Sequence, residues 1–441
     1  MDNRFKTFLS CIAIVFISFA SYADKNNQQT VSSRQMAGKY FSYPYLLQNP
    51  PVQTPPPAGF EPFHIEHYGR HGSRWHVGYK YFDQAYDILN KARNDGQLTQ
   101  LGEKTYQIIE NMRAMSHEGR SGELTEIGAR QHQAIGRRMV ENFPQVFIDS
   151  TFVNARSTVV IRAILSMHNS LDAIRSLCPN ISISSDASAS DMWYLYYQDA
   201  EAKKIRKDMK NTILKEYNTK HSNGGQYLSR IIKDSTYSND NIGENLFTPL
   251  FYALANSQSH SNQPWLLDSV FSTSEIYEQW LIGNADWFIE GGNSKLTNNR
   301  MPFSQANLLH NIISSADSTL TSHAKSVNLR YGHDSALLPL VVLMEVNEYG
   351  KEWNNLEEIS TNGWHDYLIV PMAANLQIIF YRNSTNDEIL VKVLLNEEEV
   401  KLPAGHIVGP YYNWNLLRDY YINKIEPFIT EPHLQKEIKG M

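Results

Sequence analysis

The sequence predicts an α/β fold: a mostly parallel sheet with helices on both faces, plus an inserted smaller α-helical domain. Three observations lead there. Extended apolar stretches alternate with segments of helical periodicity, the order that builds a sheet covered by helices. The stretch 190–305 turns to Asn, Ser, Tyr and Trp, with helical segments between polar loops. Three of the extended stretches end in Arg, His or Asp, at the strand ends where ligands collect in such sheets.

The chain begins with a targeting pattern. Arg4 and Lys6 precede an apolar run from Phe8 to Ala20, and Ser21-Tyr22-Ala23 reads as a cleavage site. The run is shorter than the about 20 residues a membrane span needs. Leu9-Ser10-Cys11 hints at a lipoprotein signal, but the apolar run continues past the cysteine. The expectation is an exported protein, periplasmic or secreted, with no transmembrane segment. Cys178 then stands alone, so no internal disulfide is expected. A long exported chain without disulfides suits a bacterial periplasm.

Residues 24–38 are polar and read as disordered. Pro50-Pro51 and Pro55-Pro56-Pro57 make a stiff approach to a first strand, Phe63 to Gly69. The pattern over 80–118 is that of an amphipathic helix. Thr125 is a candidate N-cap for a helix whose apolar face carries Ile127, Ala134, Ile135 and Met139. A short strand follows at Thr151 to Ala155, then a helix through Ile161, Ile164, Leu165, Leu171 and Ile174. Ser182 to Ser190 reads as a serine-rich break. Helices are expected at 201–217, 245–257 and 274–288. A strand from Ser326 to Tyr331 leads into a buried helix from Ser335 to about Met344. Two last strands, Tyr367 to Tyr381 and Ile389 to Leu395, flank a turn at 383–387. The expected division is a signal peptide at 1–23, a lead segment at 24–49, core at 50–189 and 306–441, and a helical insertion at 190–305.

The net charge of −6 carries no basic stripe, which argues against nucleic acid as a partner. Affinity for an anion must therefore come from a local cluster. Arg70-His71-Gly72-Ser73-Arg74 offers one. Arginine forks match phosphate oxygens two at a time, a neutral imidazole is a competent nucleophile, and glycine lets the backbone approach a ligand. These residue types suit covalent phosphoryl transfer without a metal or other cofactor. Arg162, at the start of the helix after the second strand, and His333, after the third, can add donors. Asp334 can protonate a leaving alkoxide.

This combination resembles the histidine phosphatase superfamily in its acid phosphatase and phytase branch, whose signature is Arg-His-Gly-x-Arg with a distant His-Asp. Gly122-x-Leu124-Thr125-x-x-Gly128 resembles the family's helix-opening motif, and Arg162-x-x-x-Ser166 its third arginine segment. The tail segments Val370 to Leu376 and Val391 to Glu397 look most like the multiple inositol polyphosphate phosphatases. The similarity runs over about 55 to 405 and is weak across 190–305. Two features depart from the pattern. Trp75-His76 stand where a proline is common, and His333-Asp334-Ser335 stands where inositol polyphosphate phosphatases usually carry His-Ala-Glu.

The resemblance implies a phosphomonoesterase acting on inositol phosphates such as phytate. His71 would attack phosphorus, Asp334 would serve as proton donor, and Arg70, Arg74, Arg162 and His333 would hold the phosphoryl oxygens. A broad acid phosphatase on sugar phosphates and a silent phosphate-binding protein are the alternatives. Lys80 can reach an outlying phosphate or simply be solvated. Arg162 can instead pair with an acid, and Asp334 can be a helix cap. A zinc site at His64, His67 and His71 fails on geometry, because His64 would face away from the other two in a strand. The tyrosines and tryptophan of 193–197 read as core of the helical region rather than a sugar platform.

Overall fold

The computed structural model describes residues 31–430, except 47, 223–225, 238–244, 323–324 and 384. The expected signal segment at 1–23 lies outside the described residues, as does the polar lead to residue 30 and Ser384 within the 383–387 turn.

The fold is α/β. In chain order the main elements are β1 (Phe60–Arg70), α1 (Lys80–Asn94), α2 (Gln100–Met115), α3 (Glu126–Asn142), β2 (Phe152–Ser157), α4 (Ile161–Leu177) and β3 (Ser182–Asp186). Then come α5 (Ala200–Asn211), α6 (Ile213–His221), α7 (Phe247–Ala255), α8 (Thr273–Gly291) and α9 (Ala306–Ser322). The chain returns to the sheet with β4 (Ser326–Gly332), α10 (Asp334–Leu343), β5 (Asn375–Asn383), β6 (Ile389–Leu395), β7 (Glu398–Glu399), β8 (His406–Val408), β9 (Tyr411–Asn413) and α11 (Trp414–Ile425). The sheet order is β3-β2-β4-β1-β5-β6-β9-β8, with β7 beside β6. Strands β3, β2, β4 and β1 form the parallel core. From β5 outward the pairing is antiparallel.

Burial on both faces explains the near-continuous apolar strands. On one face Ile65, Val153, Val327, Leu329 and Ile379 pack with Met139, Met167 and Ile174 of α3 and α4. The other face of β1 and β4 holds an ionic network. Glu66, fully buried, is paired with Arg330 and accepts from Asn328 and from Ser315 of α9, each at 2.7 Å.

Four elements differ from the sequence reading, each for a visible reason. The 80–118 helix is two, because Gly96 takes a left-handed φ of 70° and Thr99 caps a new start by accepting from Gly102 N at 3.0 Å. The serine-rich break contains β3, which lies at the edge of the sheet, where half-exposed serines suffice. The stretch from Tyr367 opens as one helical turn (Asp366–Ile369), and the strand begins only at Asn375. Its apolar character reflects burial of Tyr367, Ile369, Val370 and Met372 rather than a strand. The polar lead is ordered where it is described from Ser33 on, because Met36, Ala37, Tyr40 and Tyr43 are buried. This strap, residues 33–46, is tied to several elements. Ser42 N donates to Gln258, Met372 N to Phe41 O, and Tyr43 Oη to Glu397.

Helices Ala200–Asn211, Ile213–His221, Phe247–Ala255 and Thr273–Gly291 stand near the positions expected within 190–305. Ser272 and Glu275 form a capping box that fixes the start of α8.

Candidate active site

Register brings the three strand ends together. Arg70 pairs with Gly332 across β1 and β4, and Ser157 pairs with Tyr331 across β2 and β4. The chain leaving each strand therefore enters one region: Arg70-His71 from β1, Thr158 to Arg162 from β2, and His333-Asp334 from β4.

The loop after β1 is clamped from several sides. His71 N donates to Gly332 O at 3.0 Å, and Ala373 N donates to His71 O at 3.1 Å. Gly72 N donates to Ser166 Oγ, which in turn donates to Arg162 O. Beneath it lies the start of α3. Thr125 caps that helix, and its hydroxyl donates to Ser73 O at 3.0 Å. A Cβ on Gly72 would sit 2.5 Å from Gly128 O, and one on Gly128 would run into the Ser73 carbonyl. The Gly122–Gly128 motif is thus the floor of the loop, and the Arg162-to-Ser166 spacing is one of its walls.

Arg70 and His71 are fully buried and Arg74 nearly so. His71 Nδ1 lies 3.0 Å from the Gly72 carbonyl. A carbonyl only accepts, so Nδ1 carries the proton and Nε2 the lone pair. Burial, then the fields of Arg74, Arg70 and Arg162, hold His71 well below the ordinary imidazole range. The ring is therefore neutral. His333, pushed down to about 4 by burial and by Arg162, faces it at 5.6 Å between ring centroids.

Arg70 Nη2 lies 2.7 Å from Asp334 Oδ2, and Arg70 Nη1 donates to Val370 O. Arg74 Nη1 donates to Trp75 O at 2.9 Å. The Nε–H groups of Arg70, Arg74 and Arg162 are buried with no acceptor among the described residues. Buried donors are nearly always satisfied, so three orphaned guanidinium donors around one imidazole mark an anion site. Arg162 forms no ion pair with a described acid, and burial followed by the charge of Arg74 lowers it to about 10. Asp334 is the first residue of α10 rather than its cap, since His333 occupies the cap position. Burial raises Asp334, but Arg70 and Arg74 outweigh burial and keep its carboxyl below the usual carboxylate range.

All six cluster residues named from the sequence meet here, whereas Lys80 does not. It is exposed at the start of α1 with no hydrogen bond or ion pair to the cluster. His64 bonds to Ser326 O and Glu66, and His67 packs on Tyr331. No three His, Cys, Asp or Glu side chains among the described residues form a group able to hold a metal. Sequence reasoning missed four neighbours. Thr158 Oγ1 is 3.2 Å from His333 Nε2, and Tyr196 packs edge-on against His333 at 4.8 Å. Tyr40 meets the Arg74 guanidinium, and Lys39 stands in the field of Asp334. An aromatic pair, Tyr40 and Tyr43, inside a polar lead was the available signal for the last two.

The family model described as histidine phosphatase superfamily (branch 2) matches residues 69–396. The chain belongs to that superfamily. Membership assigns it phosphatase chemistry. No curated protein matches the chain. Among solved structures it is similar to the Bifidobacterium longum multiple inositol polyphosphate phosphatase in complex with phosphate. That match has 17% identity and a TM-score of 0.70, covering 89% of this chain and 98% of the other. It is also similar to the phytase from D. castellii, at 14% identity and a TM-score of 0.67, with 93% and 90% covered. The Hafnia alvei phytase aligns at 13% identity and a TM-score of 0.51, with 85% and 99% covered. These likenesses show that the histidine phosphatase fold spans most of the chain.

Proposed function

We propose that this protein is an exported phosphomonoesterase that releases phosphate from inositol phosphates such as phytate through a phosphohistidine on His71. One observation carries the reading: a neutral imidazole with its lone pair on Nε2, surrounded by three arginines whose buried Nε–H groups have no acceptor among the described residues. The similar structures, those of an inositol polyphosphate phosphatase and of phytases, support the substrate class.

In the first step an N–P bond forms between His71 Nε2 and phosphorus while the P–O bond to the leaving group breaks, and Asp334 gives that oxygen its proton. In the second, water attacks phosphorus, the N–P bond breaks, and the Asp334 carboxylate takes the water's proton. Arg70, Arg74, Arg162 and His333 hold the equatorial oxygens, where fixed charge contributes most to phosphoryl transfer. Entry of phosphate into the guanidinium cluster weakens its pull on Asp334. Burial then drives that carboxyl toward the protonated form the first step needs. No step calls for a metal. Among the described residues no helix is long and apolar enough to cross a membrane.

A second reading is a broad acid phosphatase on sugar phosphates. Asp286 and Glu290 of α8 favour it, because the field of Asp286 reaches Lys39 and the field of Asp334 reaches Glu290, so that two carboxylates near the cluster oppose a dense polyanion. Both are paired, with Lys210 and Arg206. Phosphate release from phytate with a chelator present, wild type beside His71→Ala, tests the main reading. Release by the wild type alone supports it. Release only from sugar phosphates shifts the assignment to the second reading, and no release from either substrate overturns both.

A further inference from the structure

At the end of the core opposite the arginine cluster, the proline-rich approach to β1 stands over a cavity of about 530 Å³. Helix α3 runs between the two places. Its first turn floors the His71 loop, and its last residues, Glu141 and Asn142, line the cavity. Its 17 residues make it about 25 Å long, so the cavity is remote from the imidazole. The approach is held as an arch. Thr54 N and Oγ1 donate to Glu399 of β7 at 2.6 and 2.8 Å, and Thr54 O accepts from Lys392 of β6 and Tyr411 of β9. Two residues earlier Val52 is 99% exposed, so the chain there stands clear of the body. Pro50, Pro51, Pro55 and Pro56 fix φ on both sides, so the arch gives up little freedom when something binds beneath it.

The lining selects a class of ligand. Its two cations are already neutralised, Arg138 by Glu397 and Lys392 by Glu399, which leaves no positive charge for an anion. Glu141 is its single carboxylate, too few for a hard cation. What stands ready is a set of side-chain amides. Asn49, Gln53, Asn142 and Gln145 line the cavity, and their side chains bond to no described residue. Each amide offers two donors and an acceptor in one plane, a fork that matches adjacent hydroxyl groups. Proline rings and Tyr381 supply apolar walls, against which the C–H face of a sugar ring can rest.

We propose that this cavity is a carbohydrate-binding site: the four amides take the hydroxyl groups of a neutral glycan beneath the proline arch. The site is separate from the phosphoryl-transfer centre and would tether the protein to glycan while leaving that centre open. It goes beyond the phosphatase reading and does not depend on it.

The test is calorimetric titration of the whole protein with maltohexaose, cellohexaose and N-acetylchitohexaose. At least one binds with a Kd of about 1 mM or tighter. The double variant Asn142→Ala/Gln145→Ala weakens that binding by about tenfold or more, and Gln53→Ala, in the arch itself, weakens it as well. Asn142 and Gln145 are exposed, so the double variant keeps the wild-type melting temperature and its rate on p-nitrophenyl phosphate. Saturating inorganic phosphate leaves the sugar affinity unchanged, which separates this site from a sugar seated among the arginines. Absence of binding by all three oligosaccharides up to about 10 mM overturns the proposal. So does binding that survives in the double variant, or binding that phosphate abolishes.

Discussion

Arg70 Nη2 and Asp334 Oδ2 are 2.7 Å apart, joining the last residue of β1 to the first of α10. Two motifs far apart in sequence are therefore one ionic unit at the end of paired parallel strands. In the free protein the pair keeps Asp334 ionised, so its proposed role as an acid depends on an anion drawing on the same arginine.

Asp334→Asn removes the proposed proton donor and keeps the shape. It lowers kcat on alkyl phosphates by about 10²–10⁴, the usual worth of a general acid. The loss on p-nitrophenyl phosphate is much smaller, because nitrophenolate leaves unprotonated. Steady-state kinetics on both esters decide the point. Equal losses would contradict the role.

Stability depends on pH through the buried histidines. Burial pushes His67 and His76 to about 3, and His132, His260 and His333 to about 4. Unfolded histidine titrates near 6.5. Between pH 6.5 and about 3 the unfolded chain takes up protons that the folded chain refuses, so stability is lost as pH falls through that window. Asp366, raised to about 6 by burial, acts in the opposite sense, since it is protonated in the folded state first. One such group does not offset five. The melting temperature is lower at pH 4 than at pH 7, and inorganic phosphate at pH 4 recovers part of the difference. A melting temperature that holds or rises toward pH 4 would refute this.

Gly128→Ala places a methyl group against the Ser73 carbonyl, a backbone atom with no freedom to swing aside. Overpacking of this kind costs about 1–3 kcal/mol. It also moves the loop that carries His71, so phosphate affinity falls with stability. Denaturant unfolding and phosphate titration check both, and a variant of unchanged stability would mean that the contact is soft.

Glu66→Ala leaves Arg330 buried without its counter-ion beneath the sheet. Removing one partner of a buried pair costs about 3–5 kcal/mol. Urea unfolding measures it, and a loss below about 1 kcal/mol would show that water reaches the arginine.

The sequence made the chemical cluster legible because its residues sit within or beside local motifs. Arg70, His71 and Arg74 share five residues, while Arg162 and His333-Asp334 each follow a strand pattern. Their meeting point followed from the parallel order of the strands. What was not legible depends on burial and long-range contact. Tyr367 to Met372 is apolar because it is buried, so a helical turn passed for strand. The serines of β3 hide an edge strand that needs little core. Lys39 sits in a polar stretch, and only tertiary contacts with Tyr252 and Trp287 show where it lies. Thr158 and Tyr196 gain meaning only through His333.

The central claim is that His71 Nε2 carries the phosphoryl group during turnover. The direct measurement is rapid mixing of the protein with a phosphorus-labelled ester, followed by an alkaline denaturing quench that preserves an N–P bond. The account predicts label on the wild-type protein, released by acid, and none on His71→Ala. Steady phosphate release with no labelled protein at any quench time would contradict it.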